Sequence, residues 1–173
     1  MRYCYLLLLF STFLFSNSPL TPVPHVDAKA FSGLWYEVAR TYNEYEKDCV
    51  AATVEYDLQE DNTYKVYNRC FAHVIGGDLI EYKGTAEPTD GHSMSAIDMT
   101  YYYIFTTEYR VIHLEEDYSA AVLADKELEQ VWVMSRKPEL PERKLNQILA
   151  KLEKNMDLER LIFTPQDKKG RYK

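Results

Sequence analysis

Val50-Ala51-Ala52-Thr53-Val54-Glu55-Tyr56-Asp57-Leu58 alternates with a period of two: Ala52, Val54, Tyr56 and Leu58 share one face, and Thr53, Glu55 and Asp57 share the other. Successive side chains of an extended strand point to opposite faces, so this stretch reads as a strand with one packed and one wet face. Asp61-Asn62 marks a turn, and 64–71 returns with Tyr64, Val66 and Asn68 aligned against Lys65, Tyr67 and Arg69. Gly76-Gly77 marks the next turn and Asp90-Gly91 a hairpin; between them 79–87 aligns Ile80, Tyr82, Gly84 and Ala86. One further run precedes this meander, at 34–42, and four follow it, at 93–103, 109–115, 120–124 and 131–136. In those four the two faces are similarly apolar, so parity does not orient them. Eight short runs separated by turn signals are the pattern of an all-β barrel or sandwich. The barrel is the expected form, an eight-stranded up-and-down antiparallel one: its interior holds one small ligand, and closure removes exposed sheet edges. Periodicity alone leaves the sandwich open.

The period changes once. From Pro141, Leu145, Ile148, Leu149, Leu152 and Met156 follow helical spacing, with Pro141 suited to a first helical turn. Glu139 and Glu142 near the start and Lys151 and Lys154 near the end favour the helix dipole. The apolar stripe covers one side only, which predicts one amphipathic helix over 141–155 packed outside the barrel. Arg160-Leu161-Ile162-Phe163-Thr164 reads as a last short strand. The chain thus divides into an N-terminal leader over 1–18, an extended arm with three prolines over 19–26, one barrel unit over 27–166 and a charged tail over 167–173.

Arg2, the apolar stretch 6–15 and the small residues Ser16-Asn17-Ser18 form the pattern of a secretory signal peptide cut near 16–18, too short to span a bilayer. The expected location is therefore exported, secreted or periplasmic. Loss of Arg2 leaves 19 basic against 27 acidic residues, a net charge of −8. Such a chain repels phosphate backbones and lacks the basic patch that nucleic-acid binding needs. Cys4 leaves with the leader, so Cys49 and Cys70 remain. Two cysteines in an oxidising compartment suggest one disulfide, with two independent buried thiols as the other reading. Simple turn registry does not set them opposite each other, so a bulge or loop has to bring them together.

Phe31-Ser32-Gly33-Leu34-Trp35-Tyr36-Glu37 carries a Gly-x-Trp at the start of the first strand, and the wider stretch 26–40 resembles the lipocalin family, in the branch of bacterial lipocalins, plant temperature-induced lipocalins and apolipoprotein D. Glu116-Asp117-Tyr118 resembles the second family motif, with Glu at its Thr position, and Arg136 resembles the third. Asn68-Arg69-Cys70 with Cys49 resembles a cysteine pair of the bacterial branch. The resemblance implies that Trp35 plugs a closed end with Arg136 packed over it, and that Gly33, Asp117 and Tyr118 are structural. It also implies a carrier of a small hydrophobic ligand, a fatty acid, lysophospholipid or similar lipid. Two other readings fit it: an enzyme on this fold acting on a lipid or carotenoid, and an interaction protein with an incidental cavity.

The inward faces supply the expected pocket: Val54, Tyr56, Val66, Asn68, Tyr82, Tyr109, Val111 and His113, mostly apolar with a few polar groups. Asn68 and His113 are candidates to orient a head group. Tyr42, Tyr45 and 101–103 are candidates for the rim, since tyrosine offers an apolar body with a polar tip. Catalysis is not expected: there is no Gly-x-Ser-x-Gly elbow, no Gly-rich phosphate loop and no spare thiolate. His113 with Glu115 offers two metal ligands, too few for a site. No cofactor is implied. The partners expected are the apolar ligand and a peripheral membrane contact, with the chain a monomer or weak dimer.

Overall fold

The computed structural model describes residues 20–168; the expected leader, with Cys4, and the last part of the charged tail lie outside them. β1 (Gly33–Arg40), β2 (Cys49–Leu58), β3 (Tyr64–Ala72), β4 (Leu79–Pro88), β5 (Ala96–Tyr101), β6 (Phe105–Leu114), β7 (Ala120–Ala124) and β8 (Val131–Ser135) pair antiparallel with their chain neighbours. β1 pairs with both β2 and β8, which closes the ring. The fold is the closed eight-stranded barrel, not the sandwich. A short extra strand, β9 (Ile162–Phe163), pairs with Ala39 and Arg40.

Two helices flank the barrel. α1 (Ala28–Phe31) was not expected in a segment read as the start of the barrel. Its signal was present: Asp27 caps it, accepting the Ala30 N–H at 2.7 Å. α2 (Glu142–Leu152) lies outside the wall, shorter than the periodicity predicted. Pro141 stands just before it rather than in its first turn. Ile148 and Leu152 pack on the outward residues Val122, Val131 and Val133, while Trp35, Tyr56, Val66 and Val111 belong to the core inside the ring.

The inner core closes one end. Trp35 is fully buried and donates its Nε1–H to the Phe31 carbonyl at 2.9 Å. The Arg136 guanidinium lies 3.8 Å from the Trp35 ring centroid. Its nitrogens donate to the carbonyls of Leu34, Ala30 and Phe31 at 3.0, 2.7 and 3.0 Å. One side chain therefore combines a cation–π contact with satisfaction of carbonyls left orphaned at the end of α1. Gly33 has φ +91° beside Arg136 Nη1, where a β-carbon is disfavoured. Tyr118 Oη accepts the Asp27 N–H at 3.1 Å, and Asp117 accepts the Ser119 N–H at 3.0 Å.

The strands depart from strict alternation at three places. β2 gains one residue relative to β3 between Val50 and Thr53, where Ala51 has φ +51°. That bulge changes which face Cys49 presents, and Cys49 and Cys70 form a disulfide across a Cα–Cα distance of 5.4 Å. β1 shifts register against β8 between Glu37 and Ala39, and β6 against β7 between Val111 and His113.

β1 and β2 pair directly only from Gly33↔Tyr56 to Tyr36↔Thr53. Beyond that they part, and the segment 162–166 enters between them. The Thr164 N–H donates to the Val38 carbonyl at 3.0 Å, and the Ala51 N–H donates to the Pro165 carbonyl at 2.7 Å. Gln166 Nε2 donates to the carbonyls of Glu37 and Ala52, both at 2.7 Å, and so bridges the two strands.

Candidate ligand-binding site

At the end of the barrel opposite Trp35 a cavity of about 430 Å³ opens between the strands, within the range of small-molecule sites. Val54 and Tyr56 of β2, Met99 of β5, Leu123 of β7 and Met134 of β8 line its apolar part. Asn68, Tyr82, Tyr101, Tyr109, Gln130 and Trp132 add polar tips. Asn68 Nδ2 donates to Tyr101 Oη at 2.5 Å, and Tyr109 Oη donates to Gln130 Oε1 at 2.8 Å. Tyr109 and Trp132 meet edge to face with centroids 5.2 Å apart. Burial pushes the Tyr109 hydroxyl up to about 12, and raises those of Tyr56 and Tyr101 as well. None of the three is an acid at neutral pH.

A charged cluster stands in the same wall. Glu37 and Glu46 both line the cavity, and Arg40 Nε lies behind them, 3.4 Å from Glu37 Oε1 and 3.8 Å from Glu46 Oε2. Glu46 Oε2 also accepts Trp132 Nε1 at 3.0 Å and Asn43 Nδ2 at 2.5 Å. Arg40 Nη2 donates to the Glu46 carbonyl, and the Thr164 hydroxyl donates to Glu37 Oε1. Burial, reinforced by the neighbouring Glu46 charge, holds the Glu37 carboxyl well above the ordinary carboxylate range. The cavity lining contains no Lys, Arg or His.

Of the eight residues proposed from the sequence, five line this cavity: Val54, Tyr56, Asn68, Tyr82 and Tyr109. Val66 and Val111 are fully buried in the core between cavity and plug. His113 stands elsewhere, on the outer wall. The β6 bulge reverses its face, so that its Nε2 lies 3.0 Å from Glu115 and its Nδ1 3.1 Å from Lys151 of α2. Burial and the Lys151 charge lower its pKa, consistent with a neutral ring that donates from Nε2 and accepts at Nδ1. Among the described residues no group of three or more His, Cys, Asp or Glu is placed to hold a metal. The sequence reading did not select Met99, Leu123, Trp132 and Met134, which lie on strands whose two faces were equally apolar. Nor did it select Glu37 and Glu46, since charged residues carry no inward signal in an alternating pattern.

Around the mouth, Tyr45 and Tyr102 are half lining and half exposed. Tyr42 is exposed with its hydroxyl on Glu44, and Tyr103 is almost fully exposed. Val74, Ile75, Ile104 and Phe105 are also open to solvent at this end.

The lipocalin-like domain family profile matches residues 26–166. The chain is a member of the lipocalin family. It is similar to the outer membrane lipoprotein Blc of Vibrio cholerae, 29% identical over 147 residues, 84% of this chain and 85% of that one. It is 26% identical over 148 residues to the outer membrane lipoprotein Blc of Escherichia coli K12, covering 85% and 83% of the two chains. Among solved structures, insecticyanin from the tobacco hornworm Manduca sexta superposes with a TM-score of 0.69 at 18% identity, covering 86% of this lipocalin and 85% of that chain. The barrel is thus one built to enclose small hydrophobic ligands, and this lipocalin has the cavity to do so.

Proposed function

We propose that this lipocalin reversibly binds and carries a single-chain amphiphile of the lysophospholipid or similar lipid class, tail toward Trp35 and head at the mouth, with no covalent step. The observation that carries this reading is the gradient along the cavity, from Val54, Met99, Leu123 and Met134 on the strands to the polar groups of Asn43, Glu46 and Gln130 in the connections at the mouth. Within that class the lining favours heads that donate hydrogen bonds or carry an ammonium group. A bare carboxylate would meet the Glu46 carboxylate and no cation on the lining, and like charges in a poorly solvated wall repel. An exported site of action, periplasmic or secreted, belongs to the same proposal. It is supported by the leader pattern, by the Cys49–Cys70 disulfide and by relatives named as outer membrane lipoproteins.

Each buried methylene contributes about 0.8 kcal/mol, so a twelve-carbon tail offers roughly 10 kcal/mol before ordering costs. Affinity in the micromolar range, about −8 kcal/mol, is expected. The test is displacement of the neutral fluorophore N-phenyl-1-naphthylamine by dodecanol, dodecylphosphocholine and dodecanoate. The first two should displace it at least about tenfold more effectively than the third, a gap of about 1.4 kcal/mol. Val54→Trp should fill the cavity and weaken all three by a similar factor with the fold intact. If the fluorophore and all three amphiphiles fail to bind, or if Val54→Trp behaves as the parent, the carrier reading falls and the interaction-protein reading replaces it.

A further inference from the structure

Exposed apolar side chains scattered singly over a surface are ordinary, whereas a contiguous protruding set marks a contact. Here they gather at one end. Val74 and Ile75 form the β3–β4 turn at 64% and 43% exposure, and Tyr103 and Ile104 form the β5–β6 turn at 97% and 74%. In an up-and-down barrel alternate turns share an end, so these two turns stand side by side on the rim of the cavity mouth.

We propose that the open end of this barrel docks on the surface of an electrically neutral lipid bilayer, with the β3–β4 and β5–β6 turns inserted, and that ligand passes between bilayer and cavity through that contact. Continuity argues for a lipid occupant. Ile104 and Phe105 line the cavity and are also 74% and 60% exposed, so apolar surface runs unbroken from the cavity to the tips of the turn. An aliphatic tail leaving a bilayer along that path stays out of water. Composition agrees, since tyrosine is enriched where protein meets the membrane interface.

Charge decides the kind of bilayer. Neither 73–78 nor 102–105 contains Lys or Arg, and the chain carries a formal net charge of −7. Attraction to an anionic leaflet needs clustered basic residues. The contact is therefore apolar, and anionic lipid opposes it. The same net charge sets a second copy of the chain against the first. The β7–β8 connection lies across the mouth from the β3–β4 turn and next to the β5–β6 turn, and carries Asp125, Lys126, Glu127 and Glu129. The docked molecule tilts, with that side left in water.

The transfer part rests on the carrier reading, and the docking part does not. The experiment floats the purified protein with phosphatidylcholine vesicles, beside a Val74→Asp/Tyr103→Asp double variant whose two positions lie on the turns and outside the cavity lining, and measures N-phenyl-1-naphthylamine binding of both proteins in solution. The parent should float, the variant should bind vesicles at least tenfold more weakly, and the fluorophore should bind both alike. Replacing a third of the lipid by phosphatidylserine should weaken flotation of the parent. The docking proposal is overturned if the parent stays out of the vesicles, if the double variant floats equally well, or if phosphatidylserine strengthens binding. It is also overturned if the parent forms a concentration-dependent dimer that the variant abolishes, because the patch is then a self-interface. Intact flotation with no fluorophore binding by either protein overturns the carrier reading and supports docking alone.

Discussion

Glu37 occupies a position that favours a proton. The residue is 5% exposed, and its carboxyl faces Glu46 and accepts the Thr164 hydroxyl. Folding raises its pKa, so the folded chain holds a proton that the unfolded chain has released. Stability from this residue is then fully present below the ordinary carboxylate value of 4.5 and is lost as pH climbs from there through the raised value. Glu37→Gln keeps an acceptor for Thr164 and a donor toward Glu46 while removing the titration. Melts of parent and variant from about pH 4 to about pH 9 should meet at the acid end and diverge above it, the variant being the more stable. Parallel curves across that interval would show that the carboxyl does not titrate with folding. Alternation puts Glu37 on the face of Trp35, but a reading that selects pocket residues by their apolar character passes over a carboxylate there.

At the scale of the strand, single extra residues decide what faces what. A reading based on strict alternation oriented Val54, Tyr56, Asn68 and Tyr82 correctly, because β2 from Thr53 onward, β3 and β4 pair without interruption. The same logic carried His113 inward, since nothing in the residues between Val111 and His113 announces the β6 bulge. The β2 bulge was implied indirectly, by a cysteine pair that simple registry keeps apart. With the bulge, Cys49 and Cys70 share a face and close a loop of sequence separation 21. Cys49→Ala with Cys70→Ala should lower stability by about 3 kcal/mol on the chain-entropy account, read as a lower denaturant midpoint with the barrel's circular dichroism retained. A loss below about 0.5 kcal/mol, the ordinary effect of a surface change, would mean that β2 and β3 are held in register without the bond.

For the whole molecule, order and closure were legible because a meander needs only turns and alternation, and both are written locally. The orientation of β5 to β8 was not. α2 covers the outer faces of β7 and β8, so Val122, Val131 and Val133 are as buried as the inward Leu123 and Met134. A strand buried on both faces has no wet side to betray its parity. The packed barrel also separates two tasks by height, with stability at the plugged end and binding at the open one. Trp35→Ala should therefore cost about 3–5 kcal/mol, as large aromatic deletions in cores do, while the surviving folded protein keeps the ranking of amphiphiles. Calorimetry paired with fluorophore displacement checks this. A ranking inverted by Trp35→Ala would show that the two ends are not independent.

The segment wedged between β1 and β2 also bears on when the container exists at all. From β2 to β8 each strand meets its neighbour as soon as it is made, and such short-range pairing is fast. The first strand meets β2 at once only over Gly33–Tyr36; it waits for β8 on one flank and, beyond Tyr36, for residues 162–166 on the other. The ring is thus completed from its far end, after nearly all of the chain has been synthesised, and until then the growing sheet is a trough with an open side. A chain ending before Ile162 retains eight strands yet carries a lengthwise slit beside Glu37, through which water reaches the chamber without passing the mouth.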